Sequence, residues 1–182
     1  EPVAGIPDVM ARDESALMSV VAHPDYASNG WIYLSYTDRC SDCNDVSKRS
    51  KRPASMLSVV RGRIKNGEWM DQQPIWNTSL DNYTLSPDLA AGGRLAFDNK
   101  GHLFFSIGLK GTSEFAGIQD LTLPYGKIHR VNDDGSIPKD NPFVGVEGAL
   151  SSIWSYGHRS PQGLEFDSKT GQLWSTEMGQ RG

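Results

Sequence analysis

An all-β fold of stacked four-stranded blades is predicted by a hairpin pattern that occurs three times, near residues 18–36, 93–108 and 163–179. Each copy joins an apolar strand, a turn that contains Asp, and a second strand rich in aromatic and β-branched residues. The turn aspartates Asp25, Asp98 and Asp167 recur at about 70 residues, longer than the roughly 40–50 of compact propeller repeats, which leaves room for four strands and inserted loops per unit. A lone hairpin cannot bury its apolar face, so each unit must pack on a neighbour. The expectation is one partial propeller domain over residues 1–182, with about three consecutive blades forming an open arc and little helix.

The elements follow in order. Glu1 to Pro7 read as an extended, turn-rich opening. Ser19–Tyr36 is the first hairpin, and Arg39 to Pro53 a polar insertion. Met56–Ile64 reads as a strand, Lys65-Asn-Gly-Glu68 as a tight turn, and Trp69 onward as the partner strand. Thr78 to Ala91 is a loop leading to Gly92-Gly93, where the missing Cβ atoms would let the backbone pass close to another group. Lys110 to Leu123 is a long connection, Tyr125–Val131 a strand and Asn132–Pro138 a turn. The turn's paired acids lack the bidentate Glu that closes an EF-hand, so turn chemistry is expected rather than calcium.

Composition sets the outer limits. A 37% hydrophobic content suits one sizeable core. No run of about 18 apolar residues is present, so no membrane span is expected, nor a charged-then-apolar export signal at the start. The net charge of −4 argues against nucleic acid as a partner. Lys48-Arg-Ser-Lys-Arg52, followed by Arg61, Arg63 and Lys65, lacks interleaved aromatics and reads as a solvated face. Cys40 and Cys43 are the two cysteines. Too few ligands accompany them for structural zinc, and a redox pair belongs at a strand-to-helix junction, whereas this one opens a polar loop. A loop-stapling disulfide is favoured over two free thiols, which leans towards an oxidising, periplasmic or secreted setting.

Several segments resemble, in order, the soluble quinoprotein glucose/sorbosone (aldose sugar) dehydrogenases. They are Ala22-His-Pro-Asp25, Gly92-Gly-Arg-Leu-Ala-Phe-Asp98, Tyr125-Gly-Lys-Ile-His-Arg130, Asp134-Gly-Ser-Ile-Pro-Lys-Asp-Asn-Pro142 and Tyr156-Gly-His-Arg-Ser-Pro-Gln-Gly-Leu164. The resemblance implies a six-bladed β-propeller of roughly twice this length, with pyrroloquinoline quinone (PQQ) and calcium at one end of the axis. It implies transfer of hydride from a sugar hydroxyl carbon to the quinone, a histidine base, and an arginine that stabilises developing charge. Open sheet edges in half a ring imply self-association or packing on the remainder of the propeller.

By the same resemblance, the cofactor-binding positions are Arg159, Ser160, Glu14 and Glu114, and the calcium-binding carbonyls are those of Gly179 and Gln180. The base position is Ala90, and an expected aspartate is Leu109. Losing a general base costs about 10²–10⁴-fold. Glu14 and Glu114 stand where the family has glutamines, and they would oppose an anionic cofactor. Arg159, Ala90 and Gly179 should converge on one mouth of the arc.

Blander readings accompany each residue. Arg159 can equally pair with an acid of the next blade, and Glu177 is either a site acid or an edge-strand charge. His158 and His23 read as structural hydrogen-bonders, while His102 and His129 read as surface or packing residues. The aromatics, including Trp31, Tyr33, Phe104, Phe105, Trp154 and Trp174, read as inter-blade core. The leading functional reading is a divergent PQQ-dependent dehydrogenase acting on a sugar or related alcohol. The alternative is a non-catalytic propeller module that binds carbohydrate or protein through the same mouth.

Overall fold

The computed structural model describes residues 1–11, 16–85, 92–109 and 117–179. Ten strands are described: β1 (Leu17–Ala22), β2 (Ile32–Cys40), β3 (Ala54–Lys65), β4 (Glu68–Trp76), β5 (Gly92–Phe97), β6 (His102–Ile107), β7 (Lys127–Asn132), β8 (Ile153–Tyr156), β9 (Pro161–Phe166) and β10 (Leu173–Glu177). They form two four-stranded antiparallel sheets, in the orders β1-β2-β3-β4 and β5-β6-β7-β8, and a third unit in which β9 pairs β10. Successive strands are neighbours in every sheet, as in blades. The first strands of the three units meet, β5 contacting both β1 and β9.

Turn chemistry explains why the hairpins form where they do. Asp98 Oδ1 accepts the backbone N–H groups of Lys100 and His102, and Asp167 Oδ1 those of Lys169 and Thr170. These side-chain turns supply acceptors that the reversing backbone cannot. Asn66 and Gly67 both have positive φ and close the tight β3–β4 hairpin. The first copy differs: Asp25 precedes a one-turn helix, α1 (Tyr26–Asn29). His23 fixes that turn by accepting the Asp25 N–H through Nδ1 at 2.9 Å.

The apolar faces then pack. Tyr33, Met56, Val59, Trp76, Leu103, Phe105 and Val131 form the core between the first two sheets. Phe104, Ile128 and Leu164 form a second one between the middle sheet and the third unit. Strand β7 is covered on both sides, so its side chains are buried along nearly its whole length. Gly92 and Gly93, both at positive φ, meet the expectation of close approach. A Cβ on Gly93 would collide with Met18 of β1, and one on Gly92 would crowd Gly108 N, Ser106 Oγ and the Pro161 carbonyl. Arg94 ties all three units, its Nε donating to Gln162 O at 2.7 Å and its Nη1 to Met18 O at 3.1 Å.

Three expectations are corrected. Cys40 and Cys43 form a disulfide, with Cα atoms 5.6 Å apart. However, the pair lies at a strand-to-helix junction, because α2 (Asp45–Ser50) begins two residues after Cys43. Asn44 and Ser47 make a reciprocal capping box that a purely polar composition concealed. Secondly, Arg61 and Arg63 are not a solvated face: their guanidinium carbons stand 4.4 and 3.6 Å from the Trp31 ring centroid, and Arg61 Nη1 also reaches Asp133 O. Thirdly, Trp154 is 38% exposed and Trp174 64% exposed, since no further sheet among the described residues covers β8 and β10.

The Cys40–Cys43 loop is so short that closing it restricts the unfolded chain little. Reduction is expected to lower unfolding stability by no more than about 2 kcal/mol, read as a small shift in the urea midpoint with dithiothreitol. A loss of the whole fold on reduction would contradict this placement.

Candidate functional site

The convergence point lies where β5 and β9 begin and β6 and β10 end. Just beyond β6, Leu109 N–H donates to Arg159 O at 2.9 Å. Across the third unit, Met178 N–H donates to Ser160 O at 3.0 Å. Gly157, at φ 89°, turns the chain out of β8, and its N–H reaches both Ile118 O at 2.9 Å and Gly126 O at 3.0 Å. Gly126 in turn donates to Gly108 O at 3.2 Å. Backbone from four segments is thereby drawn around the turn Gly157-His158-Arg159.

Arg159 Nη1 donates to Met178 O at 3.1 Å. Glu177 stands beside it but accepts the Arg159 backbone N–H, at 3.0 Å, rather than the guanidinium. Among the described residues, Arg159 makes no carboxylate ion pair. Among the described residues its other N–H donors meet no carboxylate, and a guanidinium so placed can donate to an anionic oxygen. Glu177 Oε2 also lies 3.6 Å from His158 Nδ1, and Ser155 Oγ is 2.9 Å from His158 Nε2. Burial holds the His158 imidazole below the usual histidine range, and the nearby Lys127 charge acts the same way, against an opposing pull from Glu177.

Ser160 is fully buried, its hydroxyl accepting from Gln162 Nε2 at 3.0 Å, so it supports the turn from beneath. Gly179 follows Met178, whose carbonyl accepts from Arg159 Nη1. Glu14, Ala90, Glu114 and Gln180 lie outside the described residues. Leu109 is tied to Arg159 by its backbone N–H. No group of three His, Cys, Asp or Glu able to hold a metal occurs among the described residues. A calcium ion here would rely on backbone carbonyls or on residues beyond those described.

Sequence reasoning passed over Lys127. It lies inside a quoted motif, yet nothing marked it as more than a strand residue. In the structure it is fully buried, and its ammonium donates to Ile118 O and Tyr125 O at 2.8 Å and to Gly117 O at 3.3 Å. The strand Lys127-Ile-His-Arg-Val-Asn132 is mostly polar in sequence, so nothing local distinguished a buried lysine from a surface one. His129, two residues on and on the same face, is likewise buried and saturated. Its Nε2 bonds Pro124 O at 2.8 Å, and its Nδ1 bonds Ser152 Oγ at 2.9 Å.

The chain is 37% identical over 183 residues to the aldose sugar dehydrogenase YliI of Escherichia coli (strain K12), covering 100% of this chain and 45% of that protein. Its fold is similar to the apo form of the soluble aldose sugar dehydrogenase from Escherichia coli, with a TM-score of 0.85, 35% identity, and coverage of 100% of this chain and 49% of the other. It is also similar to the PQQ-bound form of the aldose sugar dehydrogenase from Streptomyces coelicolor, with a TM-score of 0.70, 28% identity, and coverage of 96% and 46%. The chain spans about half the length of these relatives, consistent with about three blades of a partial propeller. No helix among the described residues is long and apolar enough to cross a membrane. Residues 1–182 match the Glucose / Sorbosone dehydrogenase family, and the chain belongs to that family.

Proposed function

We propose that the full-length protein carrying this chain binds PQQ at the mouth described above and oxidises an aldose or related alcohol slowly. The observation that carries this reading is the Arg159 guanidinium. It stands at the ends of the inner strands, held by one carbonyl and paired with no carboxylate among the described residues. Glu177, though adjacent, takes the Arg159 backbone N–H through Oε2 and makes no ion pair with the guanidinium. When bound, PQQ supplies the hydride acceptor that no amino-acid side chain can provide.

The chain's own residues do the rest. Arg159 binds a carboxylate or quinone oxygen and balances negative charge there. Ser160 and Glu177 orient it, while Glu14 and Glu114 flank the cofactor in the family pattern. The carbonyls of Gly179 and Gln180 are the candidate calcium ligands. Ala90 cannot accept a proton, so proton removal from the sugar hydroxyl falls to solvent or a weaker base, and turnover is slow. The Cys40–Cys43 disulfide supports a periplasmic or secreted location.

The test is reconstitution of the full-length protein with PQQ and calcium, followed by dye reduction over a panel of aldoses. Slow, PQQ-dependent reduction with at least one sugar is expected. The 182-residue chain alone should show none, because half of the ring is missing. PQQ binding without oxidation of any sugar would instead favour the non-catalytic propeller module.

A further inference from the structure

We propose that Lys127 is a positioning residue for the Arg159 site, its buried ammonium gathering the Gly117, Ile118 and Tyr125 carbonyls into the platform on which the Gly157-His158-Arg159 turn hangs. The site it positions rests on the functional reading above. The platform itself is a matter of geometry.

The Ile118 carbonyl is the joint. It accepts from Lys127 Nζ at 2.8 Å and from Gly157 N–H at 2.9 Å. The second joint is Gly126, between Tyr125, whose carbonyl Lys127 holds, and Lys127 itself. Gly126 O accepts the N–H groups of both Gly157 and His158, at 3.0 and 3.1 Å. A Cβ on Gly126 would collide with Ile118, so the two joints are packed directly against each other. Arg159 is the next residue along, fixed further by Leu109 N–H to its carbonyl. Displacing the ammonium therefore frees the Ile118 acceptor directly and loosens the Gly126 acceptor through Tyr125 and Lys127 on either side of it.

The choice of lysine is informative because it is costly. A buried ammonium with no carboxylate within bonding distance among the described residues is disfavoured, and an apolar side chain of similar length would fill the volume more cheaply. Three carbonyls match the three N–H donors of an ammonium, and no apolar residue could draw three carbonyl dipoles to one point. Burial pushes Lys127 down to about 8, so the cradle still holds a charged group at neutral pH. Its positive charge also opposes protonation of His158.

The test compares wild type with Lys127→Met and Lys127→Arg in the full-length protein, using hydrogen exchange and equilibrium PQQ binding. Lys127→Met should speed exchange of the Gly157 and His158 amides by about 10-fold or more while β2 and β3 exchange as before. It should weaken PQQ binding by about 10-fold through loss of orientation. Lys127→Arg should recover part of both. Unchanged exchange at Gly157 and His158, or an equal rise in every strand, would overturn the proposal and leave Lys127 a general packing residue. If the wild type binds no PQQ, the functional reading fails, but the exchange comparison still decides the role of Lys127. If Lys127→Met does not fold, raising wild-type pH through about 8 removes the charge instead. After correction for the intrinsic pH dependence of exchange, the same two amides must lose protection first, and their failure to do so would sink the idea.

Discussion

Ala90→His is expected to raise PQQ-dependent sugar oxidation by the reconstituted full-length protein by about 10²-fold. A positioned general base contributes about 10²–10⁴ in rate. The lower end is expected because Leu109 stands where the resemblance places an aspartate, so a new imidazole would lack that neighbour. The gain should fall on kcat rather than KM, since proton removal belongs to the reaction and not to sugar binding. Dye reduction with the best aldose of the panel measures it. An unchanged rate, with PQQ bound, would mean that Ala90 is not at the base position and that the alignment of Gly92-Gly-Arg94 with the family pattern is displaced.

Acid should destabilise this fold well before its aspartates titrate. Burial lowers His129 from 6.5 to about 3, so the folded protein holds a neutral imidazole. In the folded chain that ring stacks on Phe105 with centroids 5.0 Å apart and lies between Ser152 Oγ and Pro124 O. The unfolded chain takes up the proton first as pH falls below the free value, so stability is present above about 6.5 and is lost progressively towards about 3. The expected loss from this residue is about 2 kcal/mol by pH 5. His158, also lowered by burial, adds to it in the same direction. Urea unfolding at pH 7 and at pH 5 measures the difference. His129→Gln keeps an N–H for Pro124 O and a carbonyl for Ser152 but does not titrate, so its stability should change much less between the two pH values. Equal acid sensitivity in the variant would place the effect elsewhere.

The sheets were legible because their causes are local. Alternating apolar residues and the Asp98 and Asp167 turns specify hairpins without reference to the rest of the chain. Gly92-Gly93 announced a close approach because nothing but glycine fits beside Met18 and Pro161. The failures came mostly from partners distant in sequence. Arg61 and Arg63 looked like solvated charge until Trp31 and Asp133 were folded against them. Trp174 looked like core because its alternation is correct, but burial needs a neighbouring sheet as well as a pattern. Helix α2 was hidden because its six residues carry no apolar stripe, and its Asn44 cap also holds Leu80 O and Tyr83 O, more than thirty residues away.

The site was half legible. Arg159 was readable from its motif, but its freedom from Glu177 depends on which donor that carboxylate accepts, which only the folded turn decides. Lys127 had no role until the carbonyls of Gly117, Ile118 and Tyr125 met its ammonium. A strand lysine reads as surface charge unless both faces of its strand are known to be covered.

The most direct measurement is the dissociation constant of PQQ, with calcium present, for the full-length wild type and for Arg159→Ala. Saturable wild-type binding is expected to weaken by about 10²-fold in the variant, as for a charge-assisted pair in a partly enclosed mouth, with the urea midpoint unchanged. Equal affinity in the two proteins, or no binding by either, would contradict this expectation.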